Sequence, residues 1–148
     1  MTNKLVAFFL LAGGVFATPV LLLAHHSDSV ADQTKMVVIT GTVTRFAFVN
    51  PHSTIYLAVK NEKGQVEEWS AWGGNPDQYR ASGWTRNTFK PGDKLTIYGF
   101  PHRDGTKGMI HLKIFRPNEE VPGGRNERQF VENYESVYGK QQFAYRPE

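Results

Sequence analysis

Five short runs of alternating apolar and polar residues constrain the fold of this chain most. They span residues 36–49, 54–60, 66–72, 94–100 and 109–115 and are rich in Val, Ile, Thr and aromatic residues. Alternation with a period of two is typical of β-strands that bury one face and expose the other. Turn-forming segments at 61–64 and 103–105 separate neighbouring runs. The pattern therefore predicts a mainly β protein with five strands.

The first run changes its alternation partway along. Val37, Ile39 and Val43 share one face, whereas Phe46 and Phe48 have the opposite parity. A strand that bends at a glycine or at a β-bulge produces such a slip. We therefore expect a long, bent first strand that ends at the Asn-Pro-His segment 50–52.

The fifth run predicts one buried face and one polar face. Ile110, Leu112 and Ile114 alternate with His111 and Lys113. Because successive side chains of a strand point to opposite faces, the three aliphatic residues are expected to face the core.

A short helix is predicted between the third and fourth runs. Asn75 is a suitable N-cap and Pro76 suits the first helical position. The helix is expected over residues 77–82, with Gly83 ending it. Three strands, a helix and two strands are the order of elements in an OB-fold, a five-stranded Greek-key barrel. A two-layer roll with the same elements is the alternative.

A second helix is predicted near the C-terminus. Residues 117–125 form a Pro/Gly-rich linker, and residues 126–138 then show helical spacing of apolar side chains, from an Asn126 cap to a stop at Gly139. The apolar stripe consists of Phe130, Val131, Tyr134, Val137 and Tyr138. Such a stripe either packs on the domain core, which is the commoner arrangement, or docks on a partner protein of a larger periplasmic or membrane complex.

The N-terminal residues have the features of an export signal. Lys4 is followed by an uncharged, largely apolar stretch from Leu5 to Ala24. A basic start, an apolar stretch and small residues before a polar segment are typical of a secretory signal peptide. Cleavage is expected after Ala24, with Ala17 as a second candidate, and the mature protein is expected in the periplasm. An uncleaved segment would instead anchor the protein to the inner membrane.

These features predict four segments. They are a signal peptide at 1–24, an N-terminal linker at 25–35, the OB-like barrel at 36–116, and a linker with the C-terminal helix and tail at 117–148.

Several short motifs resemble those of one family of small exported bacterial proteins. They are Ala-His-His-Ser at 24–27, Gly-Thr-Val at 41–43, Asn-Pro-His at 50–52, Gly-Trp-Thr-Arg at 83–86 and Lys-Pro-Gly-Asp at 90–93. That family is catalogued only as a domain of unknown function, and the resemblance covers about residues 24–116. It implies a periplasmic β-barrel and supplies no activity. Asp28 departs from the family, in which an aromatic residue is expected after the serine.

Four of the five histidines are candidate metal ligands. In an OB-fold the loops β1–β2 and β4–β5 flank the binding face, and these loops contain His52 and His102. His25 and His26 precede the barrel by a linker that allows them to approach the same rim. Imidazole suits Cu(II), and cleavage after Ala24 gives His25 a free amine that can chelate the same ion. The alternative is that the loop histidines are solvated turn residues.

Two aromatic side chains are candidate ligand contacts. Tyr56 lies on the outward parity of the second strand and Trp72 ends the third. Outward aromatic residues on these strands can stack on bases or sugar rings. Trp69 and Trp84 are expected to complete the core instead, because large aromatic residues dominate small cores.

Composition excludes some functions and disfavours others. The chain has no cysteine, which excludes disulfides and thiolate chemistry. Its net charge is +3 and no basic run is present, so a nucleic-acid partner is not expected, and a small ligand or a protein is. We find no catalytic motif such as G-x-S-x-G or HExxH. The sequence therefore predicts a non-enzymatic periplasmic binding or accessory module, with a copper-binding protein or an interaction subunit as alternatives.

Overall fold

The computed structural model of the protein describes residues 30–117, 119, 121–123 and 127–138. Its strands are β1 (Val37–Ala47), β2 (Thr54–Lys60), β3 (Val66–Trp72), β4 (Lys94–Pro101) and β5 (Gly108–Phe115). Its helices are α1 (Pro76–Ala81), between β3 and β4, and α2 (Glu127–Tyr138), after β5. No helix within the described ranges has the length and apolar character needed to cross a membrane.

The five strands form a closed barrel in the order β1-β2-β3-β5-β4, with β1 pairing with β4 to close it. All neighbours are antiparallel except β3 and β5, which run parallel. This arrangement, with α1 between β3 and β4, is that of an OB-fold and confirms the predicted fold class.

A β-bulge in β1 produces the change of alternation seen in the sequence. Val43 pairs with Leu57 and Arg45 pairs with Tyr56, which leaves Thr44 as the extra residue on β1. An extra residue moves every later side chain to the opposite face. Phe46 therefore packs against the core, and Arg45 lies on the outer surface beside Tyr56. The slip is thus a bulge and not a bend at Gly41.

A second bulge makes the predicted inward face of β5 wrong. Gly99 pairs with His111 and Tyr98 pairs with Lys113, so Leu112 is the extra residue. Leu112 is 37% exposed, whereas Met109 and Ile114 are buried. A single alternating pattern cannot describe a strand that changes parity at a bulge, and the sequence of β5 shows no sign of the slip.

The barrel interior is filled by apolar side chains from all five strands, together with Trp84 and Phe89 from the α1–β4 connection. Trp69 and Trp84 are 8% and 6% exposed, which confirms that both belong to the core. Helix α1 begins at the predicted cap: the Asn75 side chain accepts a hydrogen bond from the Gln78 backbone N–H, and the Gln78 side chain accepts one from the Asn75 N–H.

Helix α2 covers a second apolar cluster on the outside of the barrel. Tyr98, only 1% exposed, lies in this cluster with Met36 and Val38, and Phe130 and Tyr134 of α2 pack against it. The Tyr98 and Phe130 ring centroids are 5.3 Å apart. These side chains contact the barrel and do not form a free docking face. Asn126, Gly139 and the side chains of Val137 and Tyr138 lie outside the described residues.

Candidate functional site

Tyr56 and Trp72 lie on the same outer surface of the barrel. Ile55, Leu57 and Ala71 are buried, so strand alternation directs Tyr56 and Trp72 outward. Both residues are partly exposed. The loops 48–53 and 102–107, which join β1 to β2 and β4 to β5, flank this surface as they do the binding face of OB-folds.

Strand register makes the two aromatic residues diagonal neighbours. Tyr56 pairs with Ser70, and Trp72 pairs with Thr54. Diagonal neighbours on adjacent antiparallel strands lie roughly 7–8 Å apart, which long side chains can span. Among the described residues no ring contact joins Tyr56 to Trp72. Only the small side chains of Thr54 and Ser70 separate them. We call this surface, made of Arg45, Thr54, Tyr56, Ser70 and Trp72, the outer face.

Arg45 covers the ring of Tyr56. Its guanidinium carbon lies 3.7 Å from the centroid of the ring, which is a close cation–π contact. The β-bulge at Thr44 brings Arg45 to this position, because without the extra residue its side chain would point to the opposite side of β1. Arg45 is exposed, and its side chain has no hydrogen bond or ion pair with any other described residue.

Two histidines flank the indole of Trp72. Its Nε1–H donates a hydrogen bond to His102 Nε2 across 2.9 Å. The His52 ring centroid lies 4.7 Å from that of Trp72, and His52 Nδ1 is 3.0 Å from the carbonyl oxygen of Gly73. Because a carbonyl only accepts, His52 Nδ1 carries the proton and donates it. The two loops thus fix Trp72 from both sides.

The hydrogen bonds of His102 define its protonation. An indole only donates, so His102 Nε2 accepts and its proton is on Nδ1. That proton points to Thr106 Oγ1, 2.9 Å away, and Thr106 Oγ1 donates in turn to Asp104 Oδ1 across 2.7 Å. Hydrogen bonds from the Thr106 side chain and backbone lower the pKa of Asp104. This chain of hydrogen bonds runs from the loop to Trp72.

The structure describes two of the four candidate metal ligands, His52 and His102. His102 uses both ring nitrogens within the protein, so it holds Trp72 and offers no free lone pair for a metal. His52 retains Nε2 without a hydrogen-bond partner among the described residues. The described part of the chain contains no group of three or more His, Asp or Glu placed to hold a metal ion. His25 and His26 lie outside that part, and copper binding stays a prediction.

An aromatic cluster of Tyr79, Trp84 and His111 was not predicted. The Tyr79 and Trp84 rings stack at a centroid distance of 4.2 Å, and the His111 ring stacks on the Tyr79 ring at 5.7 Å. The backbone N–H of Gly74 donates to Tyr79 Oη across 2.7 Å, and Tyr79 Oη lies 2.8 Å from His111 Nε2. The cluster joins α1 and β5 to the chain that directly follows Trp72.

Burial sets the protonation of this cluster. The His111 ring is enclosed by Tyr79 and Trp84, although the residue as a whole is partly exposed. Enclosure lowers the pKa of His111 to about 4, and burial raises the pKa of Tyr79. His111 is therefore neutral, and its Nε2 shares a hydrogen bond with the Tyr79 hydroxyl group. The alternation of β5 predicted that His111 lies on the polar face of that strand. Its contact with Tyr79 of α1 arises only when the barrel closes, so alternation could not predict it.

Two cavities of about 520 Å³ lie away from the outer face. One is next to Trp69 and is bordered by the Glu67–Lys107 ion pair, in which the two charged atoms are 3.1 Å apart. The other lies between Lys113 and Phe130 of α2. Neither includes the predicted ligand contacts Tyr56 and Trp72.

Solved structures with a similar fold are single-stranded DNA-binding proteins. A mitochondrial one from S. cerevisiae has a TM-score of 0.43 and 12% sequence identity, with 58% of this chain and 96% of that chain covered. A small one from Streptomyces coelicolor has a TM-score of 0.40 and 20% identity, with 56% and 92% covered. At these values the similarity concerns the fold alone. No curated protein matches the sequence.

These neighbours correct one prediction. The sequence-based exclusion of a nucleic-acid partner is contradicted, because barrels of this kind include proteins named for binding single-stranded DNA. The lack of a basic run was too weak a reason for that exclusion. The predicted resemblance to a family of unknown function is confirmed. The model of a family of unknown function, DUF6152, matches residues 14–111, which is more than half of the chain, and the protein therefore belongs to that family.

Proposed function

We propose that the protein is an exported binding module that holds, on the outer face, a small ligand with a ring that stacks on aromatic side chains, and that it performs no chemistry on it. The observation that carries this proposal is the diagonal placement of Tyr56 and Trp72, with only Thr54 and Ser70 between them. Trp72 offers a ring surface, whereas Tyr56, one face of which Arg45 covers, offers its other face and its hydroxyl group. The small hydroxyl residues between them add further hydrogen-bonding groups. Sugar rings and nucleobases both have faces that stack on such side chains.

The fixed position of Trp72 supports binding. Binding is weakened by about 0.5–1.5 kcal/mol for each mobile side chain that the ligand must immobilise. Trp72 is already held by the His102 hydrogen bond and by the His52 ring. Ordering of Trp72 therefore weakens ligand binding only slightly.

The proposed place of action is the periplasm. The apolar segment 5–24 after Lys4, followed by a polar segment, supports export. The expected ligand is then a compound that reaches the periplasm, such as a short glycan.

Calorimetric titration with an uncharged sugar chain tests the proposal. The probe is the methyl ester of trigalacturonic acid, and the proteins are wild type, Tyr56→Ala and Trp72→Ala. We expect each substitution to weaken binding roughly tenfold, since an aromatic stacking partner contributes about 1–3 kcal/mol. Val66→Ala, which removes a 65% exposed apolar side chain from β3 outside the outer face, is the matched control. No binding by wild type, or equal binding by all four proteins, contradicts the proposal.

Copper binding is a second candidate, supported by the path of the N-terminal chain. The Arg103 N–H donates to the Val30 carbonyl across 2.8 Å, and Ala31 pairs with His102. The chain therefore enters the barrel beside the loop that holds Trp72. Four residues span at most about 14 Å, so His26 is within that distance of Val30. His25 and His26 together with the available Nε2 of His52 would supply nitrogen ligands suited to Cu(II).

A further inference from the structure

We infer that the ligand of the outer face carries an anionic group that binds Arg45, and that the ligand class is an acidic sugar. This inference rests on the proposed function and adds the charge and chemical class of the ligand. It is argued from the position of Arg45, from its lack of partners, and from the charges around it.

Arg45 is held in place before any ligand arrives. The bulge at Thr44 turns its side chain to the outer face, and the guanidinium lies 3.7 Å from the centroid of the Tyr56 ring. A guanidinium that stacks on an aromatic ring keeps its N–H groups in the plane parallel to that ring. Because Arg45 is exposed, its donors are accessible to a ligand that stacks on the neighbouring Trp72.

The donors of Arg45 are unused. Among the described residues no carboxylate, carbonyl or hydroxyl accepts a hydrogen bond from Arg45. The other arginines with stacking contacts differ in this respect: Arg80 pairs with Asp77, and Arg116 pairs with Asp93. A guanidinium has five N–H donors in a fork that matches the two oxygens of a carboxylate. Arg45 is thus a carboxylate site whose carboxylate the described chain does not supply.

Charges of both signs lie near Arg45. Here the exposed Glu68 lies on β3 two residues before Ser70, on the same side of the sheet. Lys107 is paired with Glu67. Arg45 is therefore the cation of the outer face, and acidic groups lie near it.

An acidic sugar fits these features together. Its ring face stacks on Trp72, its hydroxyls reach Ser70 and Thr54, and its carboxylate binds Arg45.

The test compares the binding of three probes to four proteins by calorimetry. The probes are trigalacturonic acid, its methyl ester, and an oligonucleotide of eight thymidines. The proteins are wild type, Arg45→Gln, Arg45→Lys and the control Arg80→Gln, which neutralises another exposed arginine that lies over an aromatic ring. We expect wild type to bind the acid roughly tenfold more tightly than the ester, as a charge-assisted bidentate pair implies. Arg45→Gln should remove this preference without changing the affinity for the ester.

The other outcomes separate this inference from the proposed function. Arg45→Lys should retain only part of the preference, because an ammonium cannot form the bidentate pair, and Arg80→Gln should behave as wild type. Equal affinity of wild type for acid and ester overturns the anion inference and leaves the ring-binding face intact. If wild type binds the oligonucleotide more tightly than trigalacturonic acid and this binding weakens as the salt concentration rises, the acidic-sugar inference is overturned in favour of single-stranded nucleic acid. Failure of all three probes overturns both.

Discussion

The indole of Trp72 donates a hydrogen bond to His102 Nε2 across 2.9 Å, which ties the end of β3 to the β4–β5 loop. Gly108 allows this arrangement, because a Cβ on it would overlap the imidazole of His102. The side chain of His102 thus acts as a support for the proposed stacking surface.

Removal of the support should loosen Trp72. His102→Ala is expected to lower the affinity of the outer face for the trigalacturonate ester, because Trp72 must then be ordered on binding. We also expect a loss of about 1 kcal/mol in the free energy of unfolding, which is typical of one hydrogen bond. Calorimetric titration with the ester and denaturant titration measure the two effects. The control is Arg103→Ala, at a neighbouring exposed position in the same loop. An unchanged affinity of His102→Ala for the ester would show that Trp72 is held without His102.

Acid should destabilise the fold through His111. The pKa of its buried ring is about 4 in the folded protein, against 6.5 for an ordinary histidine. The unfolded chain therefore binds more protons between pH 6.5 and 4, and stability falls as the pH falls through this window. The full loss is roughly 3 kcal/mol, since each pKa unit corresponds to 1.36 kcal/mol.

Denaturant titrations between pH 7 and 4 measure this effect. His111→Gln should be less stable at pH 7, because it disturbs the stack on Tyr79 and Trp84, and should show a weaker decline with acid. Parallel curves for wild type and His111→Gln would refute the assignment to His111 and attribute the acid sensitivity to carboxylates.

Helix α2 should contribute to stability through Phe130. Phe130→Ala removes a partly buried ring from the Tyr98 cluster, and we expect a loss of about 1–2 kcal/mol, less than for a fully buried phenylalanine. Asn133→Ala, at an exposed position of the same helix, should change stability by less than about 0.5 kcal/mol. Thermal unfolding measures both. Equal stability of the two variants would mean that the helix does not stabilise the barrel and would reopen the docking hypothesis.

Native mass spectrometry of protein secreted from its full-length precursor tests the copper candidate. We expect a mass beginning at His25 and one retained Cu(II) per chain, with retention weakened in His52→Ala. A chain that starts at another residue, or a His25 chain that releases copper readily, would exclude the proposed N-terminal site. His102→Ala distinguishes copper binding from the support of Trp72. Because His102 bonds to Trp72, its substitution is not expected to alter copper retention.

The sequence predicted the elements better than the contacts between them. The strands β2 and β3 and the cap at Asn75 follow from local alternation and turn chemistry, which are properties of neighbouring residues. The bulge in β1 was visible because Phe46 and Phe48 changed parity. The bulge at Leu112 was invisible, since an aliphatic residue sits at the extra position and the alternation looks intact.

The candidate site could be predicted only in part. Tyr56 and Trp72 were identified from strand parity, and the closed barrel places them on one surface. The roles of Arg45 and His102 could not be found, because each depends on register between strands or loops that are distant in sequence. His111 was placed on a polar face, yet its ring is enclosed by Tyr79 and Trp84, two residues of the α1 region. These contacts arise only when the barrel closes.

The most direct test of the central claim is amide chemical-shift mapping of the isotope-labelled mature protein during titration with trigalacturonic acid. We predict that the largest shifts fall on Arg45, Tyr56, Ser70 and Trp72 and on the loop 102–107. Shifts centred instead on the cavity beside Trp69 and Glu67, or on that between Lys113 and Phe130, would place binding elsewhere and contradict the claim that the outer face is the binding site.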